Sequence, residues 1–353
     1  MPELPILART LRGLEWVAGA EVRATLAPPR IDFGHRELRF SVPELSRVVT
    51  SLGTVDDVFV VASVVDGVDR HRESLRHLAE AEIDLRRYDE LLGRSKQKTF
   101  DVVGSFVGKR NYSRFEIEDA VGSAVAGRSG WRYLSRSAGE PARGELSMRV
   151  HAVGSEATVA VRIAKRPLHR RAYRVASRPG SLHPPLARAL ALLAGLRPSH
   201  SFADPFCGTG TIPIEAKLAC PEVQALGSDL NPEAVEAARR NAETAGVELD
   251  LAVRDAADLP PTDRVATNPP WEASVPSAGR ARLDSLFFED VERAVVLAPP
   301  EKKLHGVALE NRVRVSGAVA AMVVLGEAPF DEGALYGREL AESASKWTAE
   351  ASL

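Results

Sequence analysis

The eight residues from Asp204 to Thr211, with the sequence DPFCGTGT, have the types and spacing of a ligand-binding turn. Gly208 and Gly210 allow the backbone to approach a ligand closely, and a helix beginning at Thr211 would offer unpaired N–H groups. A dinucleotide site uses the same features, but Pro213 stands where its third glycine belongs. The Asp204 carboxylate would lie badly beside a pyrophosphate and well beside the ammonium group of a cofactor that carries an amino acid. The predicted cofactor contacts in this turn are Asp204, Pro205, Phe206, Cys207, Gly208, Thr209, Gly210 and Thr211.

Two more carboxylates follow the next two predicted strands. Asp229 stands where a Rossmann-like site holds ribose hydroxyls, and Asp255 could accept a hydrogen bond from an adenine amine. Either acid alone could instead cap a helix. Acids at three successive strand ends favour a binding site, so we predict cofactor contacts for Asp229 with its neighbour Leu230, and for Asp255 with its neighbour Ala256.

The segment Asn268-Pro269-Pro270-Trp271 follows the fourth predicted strand and could position a nucleophile. Two prolines fix φ and remove two N–H donors, which leaves a stiff turn with free carbonyls. Hydrogen bonds from an aromatic amine to Asn268 Oδ1 and the Pro269 carbonyl would localise the nitrogen lone pair toward a sulfonium methyl group and align the reacting atoms. Trp271 offers a face on which a flipped-out base can stack. We therefore predict all four residues as catalytic, Asn268 also as a cofactor contact, and no metal; an N-P-P turn without the upstream site would be an ordinary loop.

The composition is that of an ordinary globular protein. The chain of 353 residues is long enough for two or more domains, and its 44% of hydrophobic residues contain no run long enough to cross a bilayer. The N-terminal residues lack the pattern of a secretory signal, so we expect a cytoplasmic location. Cys207 and Cys220 are too few for a disulfide framework and lack the paired spacing of a zinc site.

A formal net charge of −2 does not by itself favour a nucleic-acid partner, so any RNA contact must be local. Residues 162–178 contain seven arginine or lysine residues and no acid. A solvated connector is the alternative interpretation of this stretch. The predicted phosphate contacts are Lys109, Arg110, Arg114, Lys165, Arg166, Arg170 and Arg171.

From residue 201 onward, strand, turn and helix alternate, which predicts a parallel sheet covered by helices, with ligands at the carboxyl ends of the strands. The predicted strands are 201–203, 224–228, 249–253 and 264–267, and the predicted helices are 186–193, 211–218 and 232–245. Residues 312–325 predict a hairpin that turns near Ser316 and Gly317 and closes the sheet at an antiparallel edge. The first 165 residues are typical of small α+β modules, with helices predicted over 10–24 and 116–126 and strands over 99–108, 146–153 and 157–163.

Four of these segments together resemble the THUMP-containing RNA guanine-N2 methyltransferases: DPFCGTGTIPIEA, GSDLNPEAVEAARRNAETAG, RDAADLP and TNPPW. The segments KRNYSRFEIEDAVG and RIAKRPLHRRAYR resemble the end of the THUMP domain and the link that follows it, and GLEWVAGAEV resembles the opening helix of the family. The resemblance implies S-adenosyl-L-methionine as cofactor, with Asp204, Gly208 and Gly210 at its methionine end, Asp229 at its ribose and Asp255 at its adenine. It also implies a tRNA partner held at the acceptor end and methylation of a guanosine amine. Trp271 and Glu272 depart from the tyrosine and glycine usual in the family.

The architecture predicted in this way is α/β, with a C-terminal Rossmann-like methyltransferase domain preceded by an α+β region. We expect a ferredoxin-like segment over 1–50, a THUMP domain over 51–165, a basic linker over 166–180, a methyltransferase domain over 181–353, and a monomer. Three alternatives remain open: a methyltransferase acting on guanine N2 in ribosomal RNA, one acting on adenine N6, and an RNA-binding protein that keeps the fold with weak catalysis. A dehydrogenase is disfavoured by the glycine spacing and by the lack of an obvious catalytic histidine.

Overall fold

The computed structural model describes residues 3–83, 88, 99–270, 291–315 and 318–326, which form two β-sheets with helices packed on them. The first sheet has eight strands in the spatial order β2-β3-β1-β4-β8-β7-β5-β6. It is antiparallel except where β5 pairs with β6 and β7. The strands are β1 Leu4–Arg9, β2 Ile31–Gly34, β3 Glu37–Val42, β4 Asp57–Asp66, β5 Thr99–Phe106, β6 Arg132–Tyr133, β7 Leu146–Val153 and β8 Glu156–Arg162. The sheet therefore runs without interruption past the expected domain boundary at residue 50.

Within the described part of the chain, three helices pack against one face of this sheet: α1 Glu15–Leu26, α2 Arg76–Glu80 and α3 Arg114–Ser129. The third helix begins where a capping box forms, because Ser113 accepts from the Glu116 N–H and Glu116 accepts from the Ser113 N–H. It ends at Gly130, whose φ of 72° suits a left-handed cap. With these caps the helix begins two residues before the predicted start and ends three residues after the predicted end.

The first helix starts five residues later than predicted. Gly13 has a φ of 94°, and a Cβ there would lie 2.1 Å from the Arg312 carbonyl oxygen, so the chain turns at this glycine. The buried Glu15 carboxylate accepts from the Gly13 N–H at 2.6 Å and stabilises the turn. The helix then contacts two cores, with Ala18 in the core of the first sheet and Val17 in the core of the second.

The second sheet has seven strands in the spatial order β11-β10-β9-β12-β13-β15-β14. They are β9 Ser201–Asp204, β10 Gln224–Asp229, β11 Asp250–Val253, β12 Arg264–Thr267, β13 Arg293–Ala298, β14 Val307–Val315 and β15 Ala318–Leu325. The first four of these are the predicted strands and are parallel, and β13, which was not predicted, extends the parallel part. The antiparallel strand β15 inserts between β13 and β14, so the hairpin lies at the predicted edge but its outer strand β14 runs parallel to the others. The turn residues 316 and 317 lie outside the described part of the chain.

Helices of the second sheet are α4 Pro184–Leu193, α5 Thr211–Ala219 and α6 Pro232–Ala245. Local capping accounts for α6, because Asn231 accepts from two N–H groups of the first turn, Pro232 is the first helical residue and Gly246 closes the helix with a φ of 69°. Leu190 and Ile212 bring α4 and α5 into one core with strand residues Phe202 and Ala266. Within the described residues, no helix combines the length and hydropathy that a membrane span requires.

Candidate active site

The candidate site lies where β9, β10 and β12 end. β9 lies between the other two strands, so the turns after these strands meet at one edge of the sheet. The order in which strands are added to the sheet reverses at β9, because β10 and β11 lie on one side of it and β12 and β13 lie on the other. The carboxyl ends beside such a switch point form the usual binding crevice of an open α/β sheet. The structure thus brings the predicted residues Asp204, Asp229 and Asn268 to a common edge.

Asp204 is the most deeply buried acid of this edge, with 1% of its surface exposed. Its Oδ1 accepts from the Thr267 hydroxyl at 2.7 Å and from the Phe206 N–H at 3.1 Å. Burial raises the pKa of Asp204 to about 7, and the negative charge of Asp229 adds to the rise, while the two hydrogen bonds oppose it. A carboxylate in this setting is stabilised by a nearby cation, so the ammonium group of an amino-acid cofactor fits the position.

The glycine turn is fixed against β10 by Asp229. The Gly208 N–H donates to Asp229 Oδ2 at 3.0 Å, and the Asn231 N–H donates to Oδ1 at 2.9 Å. Gly210 has a φ of 80°, and a Cβ there would lie 2.9 Å from Ala238 Cβ, so glycine is required for both conformation and space. This glycine precedes α5, whose first N–H groups consequently point toward the turn.

The other predicted residues of this turn contribute through backbone or packing. Thr209, Thr211 and Pro205 are buried, and Phe206 is half-buried. Cys207 is buried too, and burial raises the pKa of its thiol well above the usual value. The thiol is therefore unsuited to act as a nucleophile, in agreement with a packing role.

Asp255 has the capping geometry that the sequence left open. It precedes a short 3-10 turn over Ala256–Asp258, and its Oδ1 accepts from the Ala257 N–H at 3.0 Å. The neighbouring Arg254 N–H donates to the Asp229 carbonyl at 3.1 Å, which links the second and third strand ends. A carboxylate has two oxygens, so the cap does not exclude an adenine contact. Leu230 is exposed and Ala256 is buried.

The Asn268-Pro269-Pro270 turn follows β12 directly. Asn268 and Pro270 are half-buried and Pro269 is buried. Thr267, the residue before Asn268, is fully buried and holds Asp204. The cofactor turn and the predicted catalytic turn are consequently joined by one hydrogen bond. Trp271 and Glu272 lie outside the described residues.

Two site residues were not predicted from the sequence. Thr267 is one; the signal for it was a polar residue at the end of a buried strand, immediately before the turn. The second is Asn241, which is fully buried on α6 and donates to the carbonyls of Thr209 and Ala176, both at 2.9 Å. Its signal was an amide on an otherwise alanine-rich helix face. Asn241 ties the glycine turn to the connector before α4.

The predicted phosphate contacts separate into exposed and structural residues. Lys109, Arg114, Lys165, Arg166 and Arg170 are exposed. Arg110 is half-buried and donates to the carbonyls of Val68 and Gly154 at 3.0 and 2.9 Å, so its guanidinium group holds two loops together.

The structure does not support the prediction that Arg171 contacts phosphate, because its guanidinium group is turned into the protein. It donates to Glu215 Oε1 at 2.8 Å and to the Gly53 carbonyl at 2.5 Å, and its side chain is 13% exposed. Glu215 has no exposed side-chain surface and also accepts from Tyr173 at 2.8 Å and Arg188 at 3.1 Å. A buried carboxylate requires such partners, so Arg171 compensates Glu215 and is not placed to meet phosphate.

A groove of about 840 Å³ lies beside the start of α6. Connector residues Val175–Arg178 form one wall, and α6 residues between Pro232 and Arg240 form the other. Asp204, Asp229 and Asp255 do not line it, so the groove adjoins the strand-end site without containing the predicted cofactor contacts.

In sequence, the chain is similar to one family model and to two curated relatives. Residues 171–297 match the family model described as the RMKL-like methyltransferase domain. The chain is 34% identical over 212 residues to the tRNA (guanine(6)-N2)-methyltransferase of Thermus thermophilus, an alignment that covers 57% of this chain and 59% of that protein. It is 36% identical over 120 residues to the tRNA (guanine(10)-N2)-dimethyltransferase of Methanothermobacter thermautotrophicus, covering 33% of this chain and 35% of that protein. The chain thus spans less than two thirds of the length of either relative.

Among solved structures, the chain is similar to TrmN from Thermus thermophilus, with a TM-score of 0.74 and 23% identity over 92% of this chain and all of that one. This likeness concerns the fold, and it confirms the predicted α/β architecture.

Proposed function

We propose that this chain, whose residues 171–297 match the RMKL-like methyltransferase domain family, is an S-adenosyl-L-methionine-dependent enzyme that methylates the exocyclic N2 of a guanosine in tRNA. The hydrogen bond from Thr267 to the buried Asp204 carries the proposal, because it joins a turn suited to an amino-acid cofactor to a turn suited to an aromatic amine. The guanine-N2 specificity in the names of two curated relatives supports this choice of base.

The strand-end residues fit the cofactor by charge and by space. Among the described residues, no lysine or arginine shifts the pKa of the buried Asp204, so an ammonium group supplies the missing counter-charge. Gly208, where a Cβ would meet no other atom within 4 Å, leaves room for the methionine end, and Gly210 sets the conformation of the turn. Asp229 accepts from ribose hydroxyls and Asp255 from the adenine amine. When bound, the cofactor supplies an electrophilic methyl group on a sulfonium.

The residues of the predicted catalytic turn, Asn268 to Trp271, position the nucleophile. Asn268 Oδ1 and the Pro269 carbonyl accept hydrogen bonds from the guanine amine and orient its lone pair toward the methyl carbon. The bound cofactor would supply the methyl group and would leave as a neutral thioether, while the amine would lose one proton to solvent. Two fixed acceptors stabilise the positive charge that develops on nitrogen, and this is the electrostatic part of the rate gain. Trp271 provides the stacking face, and neither step requires a metal.

The remaining parts of the chain hold the RNA in this proposal. The region before residue 166, with its ferredoxin-like segment over 1–50 and THUMP domain over 51–165, forms the tRNA platform, and the linker over 166–180 leads to the methyltransferase domain over 181–353. The exposed cations Lys109, Arg114, Lys165, Arg166 and Arg170 contact phosphates. The enzyme acts as a cytoplasmic monomer.

Transfer of labelled methyl groups from S-adenosylmethionine to purified tRNA and, separately, to ribosomal RNA tests the function. We expect N2-methylguanosine in tRNA, and a rate of methyl transfer lower by about 100-fold in Asn268→Ala. Asn268→Asp keeps an acceptor oxygen and should retain more activity than the alanine variant. Label recovered as N6-methyladenosine, or in ribosomal RNA alone, would show that the substrate is a different base or a different RNA. Cofactor binding without transfer to any RNA would favour a non-catalytic RNA-binding protein.

A further inference from the structure

A cluster of two histidines and one aspartate shares no residue with the candidate active site. Asp56 directly precedes β4, His169 lies in the connector and His183 caps α4. Each offers one nitrogen or oxygen atom, and these three atoms lie within 4.8 Å of one another. All three residues are half-buried. The cluster thus joins three parts of the chain: the first sheet, the connector and the start of α4.

The Asp56 carboxylate has one oxygen engaged and one available. Arg36 lies 3.9 Å from Oδ2. Oδ1 is buried without a hydrogen-bond partner among the described residues, at 3.5 Å from His183 Nε2. A buried carboxylate oxygen without a donor is costly, and a cation would remove that cost. The separation of 3.5 Å is close to the roughly 3.4 Å between neighbouring ligands of a tetrahedral zinc ion with bonds of about 2.0–2.1 Å.

His169 is oriented as metal-binding histidines are. Its backbone N–H donates to the Asp56 carbonyl at 3.0 Å, and its Nδ1 lies 3.2 Å from the same carbonyl. A ring nitrogen that donates to a carbonyl fixes the tautomer and leaves the lone pair on Nε2. The imidazole rings of His169 and His183 stack with centroids 5.4 Å apart.

His183 turns one ring nitrogen toward the Asp56 carboxylate, with Nε2 at 3.5 Å from Asp56 Oδ1. It makes no side-chain capping bond to α4, and its Nδ1 is buried without a hydrogen-bond partner in the described chain.

We propose that Asp56, His169 and His183 form a binding site for a divalent transition metal of the zinc type, with a water molecule as the fourth ligand. Two imidazoles and one carboxylate are a donor set that suits Zn²⁺. The site is structural, because it contains none of the strand-end acids and bridges three separate segments of the chain. The nearby positive charges of Arg36, Arg171 and Arg174 weaken the site. The site is independent of the methyl transfer proposed above.

Titration of the metal-free full chain with Co²⁺ and with Zn²⁺ tests the site. We expect one equivalent of Co²⁺ to produce the visible absorption of a tetrahedral complex, and Zn²⁺ to displace it and raise the Tm. His183→Gln and Asp56→Asn should each weaken Co²⁺ binding at least about 10-fold and abolish the Tm increase. His169→Gln provides a third variant should either of the others fail to fold.

The matched control is His305→Gln, which removes an exposed histidine elsewhere in the chain. It should bind Co²⁺ as the unaltered protein does. The proposal is overturned if the unaltered protein takes up no metal, or if folded His183→Gln and His169→Gln titrate like the His305→Gln control.

Discussion

The Thr267 hydroxyl donates to Asp204 Oδ1 across 2.7 Å, from the end of one parallel strand to the end of its neighbour. Both side chains are almost completely buried. The neutral Asp204 carboxyl group can keep this hydrogen bond, since its carbonyl oxygen remains an acceptor. The charged form additionally requires a counter-charge that the described residues do not provide. Asp204 therefore makes the stability of the free protein depend on pH.

We predict that the free protein loses stability as the pH rises. The pKa of Asp204 is raised to about 7 in the folded state from an ordinary value of 3.8, so the folded state binds more protons than the unfolded state between these values. The free energy of unfolding consequently falls as pH rises from about 4 to about 7, by at most about 4 kcal/mol for a shift of this size. Asp204→Asn removes the titrating group, so its Tm advantage over the unaltered protein should grow from about pH 5 to about pH 8.

The same variant should lose cofactor affinity, because its amide cannot pair with an ammonium group. Thermal unfolding at the two pH values and calorimetric titration with S-adenosylmethionine check both effects. An Asp204→Asn protein whose Tm changes with pH in parallel with the unaltered protein would contradict the raised pKa.

A second prediction separates the capping role of Asp255 from a cofactor role. Asp255→Ser keeps a cap for the Ala256–Asp258 turn but shortens the side chain and removes its charge, whereas Asp255→Ala removes both functions. If the second carboxylate oxygen accepts from adenine, both variants should bind S-adenosylmethionine about 10-fold more weakly. Recovery of full affinity in the serine variant would show that the cap alone is needed.

The exposed connector cations should govern the salt dependence of RNA binding. Replacing Lys165 or Arg170 with alanine should flatten the plot of log affinity for tRNA against log salt concentration by roughly 0.7–0.9 for each phosphate that the side chain neutralises. Arg197→Ala is the control, because this exposed arginine precedes β9 and so lies toward the opposite end of the parallel strands. Equal slopes for the connector variants and the control would show that the connector cations do not contact RNA phosphates.

Arg171 should affect stability where Arg170 does not. Arg171→Met leaves the fully buried Glu215 with only Arg188 and Tyr173, so we expect a loss of about 3 kcal/mol in the free energy of unfolding. Arg170→Met alters an exposed neighbour and should change stability by less than about 0.5 kcal/mol. Urea denaturation measures both. If Arg171→Met is stable and its log affinity for tRNA falls less steeply with log salt concentration, Arg171 contacts phosphate after all.

The sequence alone determined the local elements and the order in which they occur. The span 232–245 was predicted without error, because Asn231, Pro232 and Gly246 act within one turn of the helix that they bound. The strand ends at Asp204, Asp229 and Thr267 followed from the alternation of strands and helices, since parallel strands place their carboxyl ends on one edge. The glycine turn followed from residue types for which backbone conformation is the main requirement. The domain boundaries at residues 50, 165 and 180, and the roles of the individual site residues, remain predictions.

Only the tertiary structure decided which distant side chains meet. Arg171 and Glu215 are 44 residues apart, and Asp56 and His169 are 113 apart, so no periodicity or motif spacing connects them. Placing β15 between β13 and β14 likewise depends on sheet pairing rather than on the hairpin sequence. Whether a charged residue is solvated or compensates a buried partner depends on what packing brings beside it, and packing is a property of the whole chain.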